Sequence, residues 1–391
     1  MNATSNDLAI SARIAKAVSN AGGRAFFVGG YVRDKILCRP SKDIDIEIHG
    51  VTESRLIEIL GGIGEPLSMG ASFGVLGLRH YDADIVLPRS LTTGEIDPFT
   101  GYLNAAKRRD FTMNALMQDV LTGEILDFFG GIDDIRDHII RRVDDSTFLI
   151  DPLRVIRAAR FSASLGFTVD ADTMRICSSV DTSRLAPERV YAELESAITK
   201  TESPSRFFAV LEGMNQLSAW FAEAVNADID ILDMAARVRD ESSYPSGFML
   251  ATLCHGWPED GIVRFLSRLT NDIHLTRYVM NMAGLAHTLS RMPQDSPELS
   301  YMQIFDASEC PDDLPLMSEI LAGDSHSDML RLYHERMRLP HVTGGDILKH
   351  GVQQGRLVGE ALRVAHTLRL SGIQKAEQLR EAMKYIAEAE S

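Results

Sequence analysis

Residues 26–50, FFVGGYVRDKILCRPSKDIDIEIHG, set Asp43, Asp45 and Glu47 at every second position among Ile44, Ile46 and Ile48. Strict alternation predicts a β-strand, because successive strand side chains point to opposite faces. The isoleucines then face a core. Asp43 and Asp45 project side by side from the other face, and Glu47 continues the row as a solvated residue. Two carboxylates held that close repel and raise each other's pKa unless a cation lies between them. Mg2+ suits such a pair, since it takes carboxylate and phosphate oxygens. Two such ions, roughly 3.5–4 Å apart, can activate an attacking hydroxyl and stabilise a leaving pyrophosphate. The simpler reading of a bare Asp-x-Asp is a solvated acidic face on an edge strand.

The residues just upstream add to the acid pair. RAFFVGG (24–30) reads as a short strand ending in a turn. Gly29 and Gly30 let a backbone approach a triphosphate without interference from a Cβ, and Arg33 can hold a phosphate oxygen. A Gly-Gly pair by itself is more often a tight turn. Followed by an arginine and, about a dozen residues on, by paired acids, it points to nucleotide chemistry.

Around this centre the chain has 391 residues, enough for two or three domains. A first helix is expected at residues 6–20, with Leu8, Ile14 and Val18 inward and Gly22–Gly23 as its stop. TESRLIEIL (52–60) carries a Thr cap and a helical period, and FGVLGLRH (73–80) and DADIVLPR (82–89) read as two further strands. From Asp151 onward strand-like alternation nearly vanishes and helical periods dominate. Asp151 and Pro152 open one helix and Pro187 another. MPQDSPELS (292–300) reads as a loop.

The totals set limits on class. Lys plus Arg is 40 and Asp plus Glu is 55, a formal net charge of −15. That disfavours a wholesale nucleic-acid binder, although a local basic face can still hold phosphates. The four cysteines form no CxxC pair, which argues against a zinc ribbon or disulfide framework and fits a reducing compartment. No run approaches the ~18 apolar residues of a membrane helix, and the N-terminus lacks a signal peptide's apolar block. A cytoplasmic location is the expectation.

FFVGGYVRDKILCRPSKDIDIEI resembles the signature of class II tRNA nucleotidyltransferases and bacterial poly(A) polymerases, within the DNA polymerase β-like superfamily. The resemblance implies an α+β head with a mixed sheet (1–140), a helical neck carrying a nucleobase-template helix (141–206), and an all-helical body and tail that binds tRNA (207–391). It implies that Gly29, Gly30 and Arg33 contact the triphosphate and that Asp43 and Asp45 bind the catalytic Mg2+, with Asp84 as a third acid. KRRDFTMNAL (107–116) resembles the ribose-recognition motif. There Asp110 can accept from a 2′-hydroxyl, Arg108 and Arg109 can face phosphates, and Asn114 can donate to sugar or base. Without that context the segment reads as a charged helix start.

IDPLRVIRAARFSASLGF (150–167) resembles the template signature, in which an Asp and an Arg read the Watson–Crick edges of incoming C and A. Asp151, Arg154 and Arg157 match it. An aspartate accepts from the exocyclic amine that both C and A possess, and an arginine donates to ring nitrogen or carbonyl. Ile150 stands where the family usually has Glu, which leaves Arg154 one anionic partner fewer. APERVYAELESAI (186–198) resembles the supporting neck helix, giving Glu188 and Arg189 structural roles.

Later segments say less. Residues 251–260 resemble the His-Asp pair of a phosphohydrolase domain at His255 alone. Gly256 stands where the ligand Asp belongs, so no hydrolase activity is expected. Arginines cluster at 264–268, at 330–338 and along Arg154, Arg157 and Arg160; each group can hold RNA phosphates, or be an ion-paired helix face. Glycines near a helix start at 343–356 offer amides to an anion. The reading is therefore addition of CCA to tRNA from CTP and ATP, with no membrane or DNA partner and the oligomeric state open. Its rivals are CC-only or A-only addition, which differ in a loop identified here with residues 90–104, and poly(A) synthesis, disfavoured by the acidic tail. A further rival is a non-catalytic RNA-binding relative.

Overall fold

The computed structural model describes residues 5–41, 44–68 and 75–390; Asp43 lies outside the described residues. The chain divides into two compact units, Met1–Ala197 with Arg206–Trp220, and Ile198–Ser205 with Phe221–Ser391. Among the described residues no helix is long and apolar enough to cross a membrane.

The first unit is built on seven strands: β1 (Arg24–Val28), β2 (Ile44–His49), β3 (Pro66–Ser68), β4 (Val75–Leu78), β5 (Ala83–Val86), β6 (Met117–Asp119) and β7 (Ile125–Leu126). Their order in the sheet is β3-β4-β5-β2-β1-β6-β7, with β2 and β5 parallel and the other neighbours antiparallel. The alternation of residues 44–48 is realised in β2. Ile44, Ile46 and Ile48 are buried in a core with Ile14, Val18, Leu56 and Leu60 from α1 (Ser5–Asn20) and α3 (Glu53–Gly61). Leu8, expected inward, is 38% exposed; it falls outside the stripe that Ile10, Ile14 and Val18 make at helical spacing. Thr52 caps α3, its hydroxyl accepting from the Arg55 N–H.

The opposite face of the sheet is covered only in part. Phe26, Val28 and Met117 pack there against Ala106 of α4 (Tyr102–Lys107), and Asp45 and Glu47 share that face. Between β1 and β2 runs α2 (Gly30–Ile36). Its preceding residue Gly29 has φ 65°, ψ −134°, a conformation that side chains with a Cβ rarely adopt. The segment 107–116 ends α4 and turns through a 3-10 stretch at Thr112–Asn114, so the plain reading of it as a charged helix start does not hold. Gly131, at the start of α5 (Gly131–Arg136), lies so close to that stretch that a Cβ would meet Thr112 O at 2.2 Å.

After α6 (Asp145–Phe148) comes α7 (Leu153–Leu165), which adds Val155, Ala158 and Phe161 to the same core as Phe111 and Phe148. Phe111 meets Phe148 and Phe161 edge-on, with centroids 5.8 and 5.7 Å apart. Further on are α8 (Ala171–Cys177) and α9 (Pro187–Thr199), the latter opened by Pro187. A two-residue strand, Thr168–Val169, pairs with Ile139–Ile140 inside this otherwise helical stretch.

The second unit is helical throughout its described residues. The arginine clusters read from sequence are ion-paired there: Arg264 with Asp260, Arg268 with Glu223, Arg331 with Asp328 and Arg336 with Glu298. At the helix start with glycines, Thr343 and Asp346 form a capping box, so the Asp346 carboxylate takes the place an anion would occupy. His255 lies just beyond the helix Pro245–Leu253, its Nδ1 2.9 Å from Thr252 O.

Candidate active site

A cleft of about 570 Å³ in the first unit is lined by Gly29, Gly30, Arg33 and Asp45 from the strand–turn–helix segment and the metal strand, and by Arg108, Arg109, Asp110 and Asn114 from the following motif. Asp151, Leu153, Arg154, Arg157, Arg160 and Phe161 from the start of α7, with Arg189 from α9, complete it. Seven arginines thus face three aspartates in a chain of net charge −15. Such a local excess of guanidinium donors suits a ligand with several phosphate oxygens.

Asp45 occupies the cleft floor on β2, and a Cβ at Gly29 would lie 3.6 Å from its Oδ2. Its register partner on the parallel β5 is Asp84, so the two carboxylates stand on adjacent strands about 4.8 Å apart. Asp84 does not line the cleft itself. Two hard carboxylates beside a glycine cradle are candidate oxygen donors for a divalent cation; among the described residues no group of three or more His, Cys, Asp or Glu is placed to hold one.

The arginines are held in different ways. Arg33 is buried; its Nε and Nη2 donate to Asp34 Oδ1 at 2.8 and 2.7 Å and its Nη1 to Asn114 Oδ1 at 2.9 Å. That uses three of its five N–H groups. Arg157 donates twice to Asp110 Oδ2, at 2.9 and 2.7 Å, and once to Glu193 Oε1 at 3.3 Å; Arg160 pairs with the other Glu193 oxygen. The guanidinium carbons of Arg33, Arg157 and Arg160 lie 5.3, 5.2 and 3.9 Å from the centre of the Phe161 ring. The ring adds cation–π stabilisation to three guanidiniums that already pair with Asp34, Asp110 and Glu193.

Asp110 is 8% exposed and fully engaged. Its Oδ1 accepts from the Phe111 N–H at 2.8 Å and from Asn114 Nδ2 at 3.0 Å, and its Oδ2 accepts from Arg157. Burial pushes its pKa up, but Arg157, Asn114 and the Phe111 amide outweigh burial and hold it below the ordinary value. Asp110 therefore organises Arg157 and Asn114 around itself in this arrangement.

Asp151 accepts from the Leu153 N–H at 3.1 Å and from Arg189 Nη2 at 2.8 Å. Arg154 is anchored by main chain. Its Nη1 donates to Arg109 O at 3.2 Å and Thr147 O at 2.9 Å, and its Nη2 to Arg108 O. Ile150, where a Glu was the expected orienting partner, is 64% exposed. Carbonyl oxygens do the orienting instead, and among the described residues no carboxylate is hydrogen-bonded to Arg154. Burial lowers the Arg154 pKa, Asp110 and Asp151 oppose that, and Arg157 and Arg108 add to it. Ile150→Glu is accordingly expected to change stability by no more than about 1 kcal/mol, the scale of an exposed ion pair. Denaturant unfolding checks this; a larger gain would mean that Arg154 needs a carboxylate.

Glu47 requires correction. It is not solvated but 5% exposed, with Oε2 2.5 Å from Arg109 Nη2 and Oε1 3.0 Å from His49 Nε2. Strand alternation places it on the face of Asp45, but α4 covers that part of the face. The loop 90–104 is folded back: the Ser90 N–H donates to Glu95 O at 2.8 Å, and Arg108 Nη1 donates to Ser90 O at 2.6 Å. The sequence reading does not place Arg189, Arg160 or Phe161 in the cleft, nor Glu193 as the partner of Arg157 and Arg160. Only the i, i+3, i+6 spacing of Arg154, Arg157 and Arg160 signals a shared helix face.

Residues 25–141 match the family described as the poly A polymerase head domain. The chain is 31% identical over 269 residues to the multifunctional CCA protein of Haemophilus ducreyi, a match covering 60% of this chain and 64% of that one. It is 28% identical over 369 residues to the CCA-adding enzyme of Leuconostoc mesenteroides, covering 88% of each. The matched segment spans 50% to 64% of the multifunctional CCA proteins' own length. In fold, it superposes on the Bacillus stearothermophilus CCA-adding enzyme solved in complex with CTP, with a TM-score of 0.75 at 23% identity over 98% of both chains.

Proposed function

We propose that the chain belongs to the class II tRNA nucleotidyltransferase and poly(A) polymerase family and adds C, C and A to the 3′ end of tRNA, using CTP and ATP; the matching head domain and the similar CCA proteins support this. The observation that carries this reading is one cleft lined together by Asp45, Asp151, Arg154 and six further arginines. The names of the relatives support the CCA product.

The family generally uses divalent metals. Asp43 and Asp45 would hold Mg2+, with Asp84, the register partner of Asp45, as a third acid. Bound there, the ions would lower the pKa of the RNA's terminal 3′-hydroxyl and stabilise the departing pyrophosphate. Arg33, with two N–H groups to spare, and Arg108 and Arg109 bind and orient the triphosphate. Asp151 accepts from the exocyclic amine of C or A, and Arg154 donates to the neighbouring ring acceptor, so U and G meet the wrong pattern. Asp110 keeps Arg157 and Asn114 in place at the ribose end. Positioning and fixed charge supply most of the rate. This reading assigns residues 1–140 to the head, 141–206 to the neck and 207–391 to a tRNA-binding body and tail, and places the enzyme with its tRNA in the cytoplasm.

One tRNA transcript ending before CCA, incubated with each nucleotide alone and in pairs, tests the proposal. The expected products are two added C residues with CTP alone and a full CCA with CTP and ATP. A long A tail would assign poly(A) synthesis. No incorporation at millimolar Mg2+ would assign a binding role.

A further inference from the structure

We infer that Glu47 is a positioning residue that sets Arg109, and through the Arg109 carbonyl also Arg154, for the incoming nucleotide; the inference rests on the reading above. Glu47 follows Asp45 by two residues on β2, so the same strand that presents the metal-binding acid also presents this carboxylate. Where Asp45 opens into the cleft, Glu47 is enclosed, with Phe26 as its register partner on β1. A carboxylate without water needs its oxygens satisfied by protein. Both are: Oε2 takes Arg109 Nη2 and Oε1 takes His49 Nε2.

His49 is itself clamped. Its ring meets Phe26 and Tyr102 edge-on, with centroids 5.7 and 5.0 Å away, and its Nδ1 is buried with no hydrogen-bond partner. A proton on Nδ1 would be stranded, and an unprotonated Nε2 would turn a lone pair toward Glu47. The ring proton therefore belongs on Nε2, aimed at the carboxylate. Aromatic packing thus fixes His49, His49 fixes Glu47, and Glu47 fixes Arg109. Arg109 then lines the cleft by its side chain and accepts Arg154 Nη1 on its carbonyl at 3.2 Å. One buried acid ties the metal strand to both the phosphate-facing and the base-reading arginines.

The test measures CTP and ATP affinity by calorimetry for the wild type, Glu47→Gln, Arg109→Gln and the double variant, together with incorporation into tRNA. Glu47→Gln should weaken nucleotide binding about tenfold, the scale of one charge-assisted hydrogen bond, with tRNA affinity unchanged. The double variant should bind no more weakly than Arg109→Gln, since Glu47 acts only through Arg109. It removes both charges of the pair, so it gives this comparison even where Glu47→Gln alone folds poorly. Independent, multiplying losses in the double variant would overturn the inference, as would wild-type nucleotide affinity in Glu47→Gln. A wild type that binds CTP yet extends no tRNA would overturn the proposed function while these affinities still decide the role of Glu47. A wild type that binds neither nucleotide would overturn both.

Discussion

Asp45→Ala is expected to lower nucleotide incorporation by about a thousandfold or more, because a catalytic metal site supplies several kcal/mol of transition-state stabilisation and each ~1.4 kcal/mol is tenfold in rate. The tRNA dissociation constant should stay within about twofold, since one carboxylate on the cleft floor adds little to a surface that binds many phosphates. Asp45 lies in the cleft beneath Gly29, with Asp84 in register on the next strand, so the alanine removes one of a small group of hard oxygen donors while the isoleucine core on the far face is untouched. Single-turnover incorporation with a saturating tRNA transcript separates the two effects. Undiminished incorporation by the variant would remove Asp45 from the mechanism.

Asp110→Ala carries the largest expected stability cost, about 3 kcal/mol. Removing one partner of a buried ion pair typically costs about 3–5 kcal/mol, and the lower end applies because the Arg157 side chain keeps 33% of its surface in solvent. The loss leaves Arg157 and Arg160 sharing Glu193, and it strands the Asn114 amide and the Phe111 N–H. Denaturant unfolding measures it; a change below about 1 kcal/mol would show that the network re-forms without the carboxylate. The pH dependence has a definite sign. Asp110 and Glu47 both have folded pKa values held below the ordinary carboxylate range. Their stabilisation is therefore fully present above about pH 5, beyond the ordinary carboxylate values, and is lost as pH falls through the depressed ones. Wild-type stability should drop steeply in that acid window, and the Asp110→Ala curve should be flatter there.

The head's centre was legible because its signals are local. Period-two alternation across residues 44–48 announces β2, and two glycines before an arginine announce the turn into α2. Strands β3, β6 and β7, of two or three residues each, are too short to display a period. Glu47 was misread because alternation tells which face a side chain takes but not what covers that face; the cover is α4, more than fifty residues later. The pairings Asp110–Arg157, Asp151–Arg189 and Glu47–Arg109 bridge 47, 38 and 62 residues, distances at which one chain carries no signal. Ile150 looked like a missing partner for Arg154 because side chains are what a sequence spells out, whereas the carbonyls that took over are common to every residue.

That last substitution has an evolutionary consequence. Amino-acid replacement at 108, 109 or 147 leaves a carbonyl oxygen behind, so point mutation cannot delete the acceptors that grip Arg154. Drift can erode a selectivity device built from paired side chains one codon at a time; this one yields only to changes that shift the peptide planes themselves.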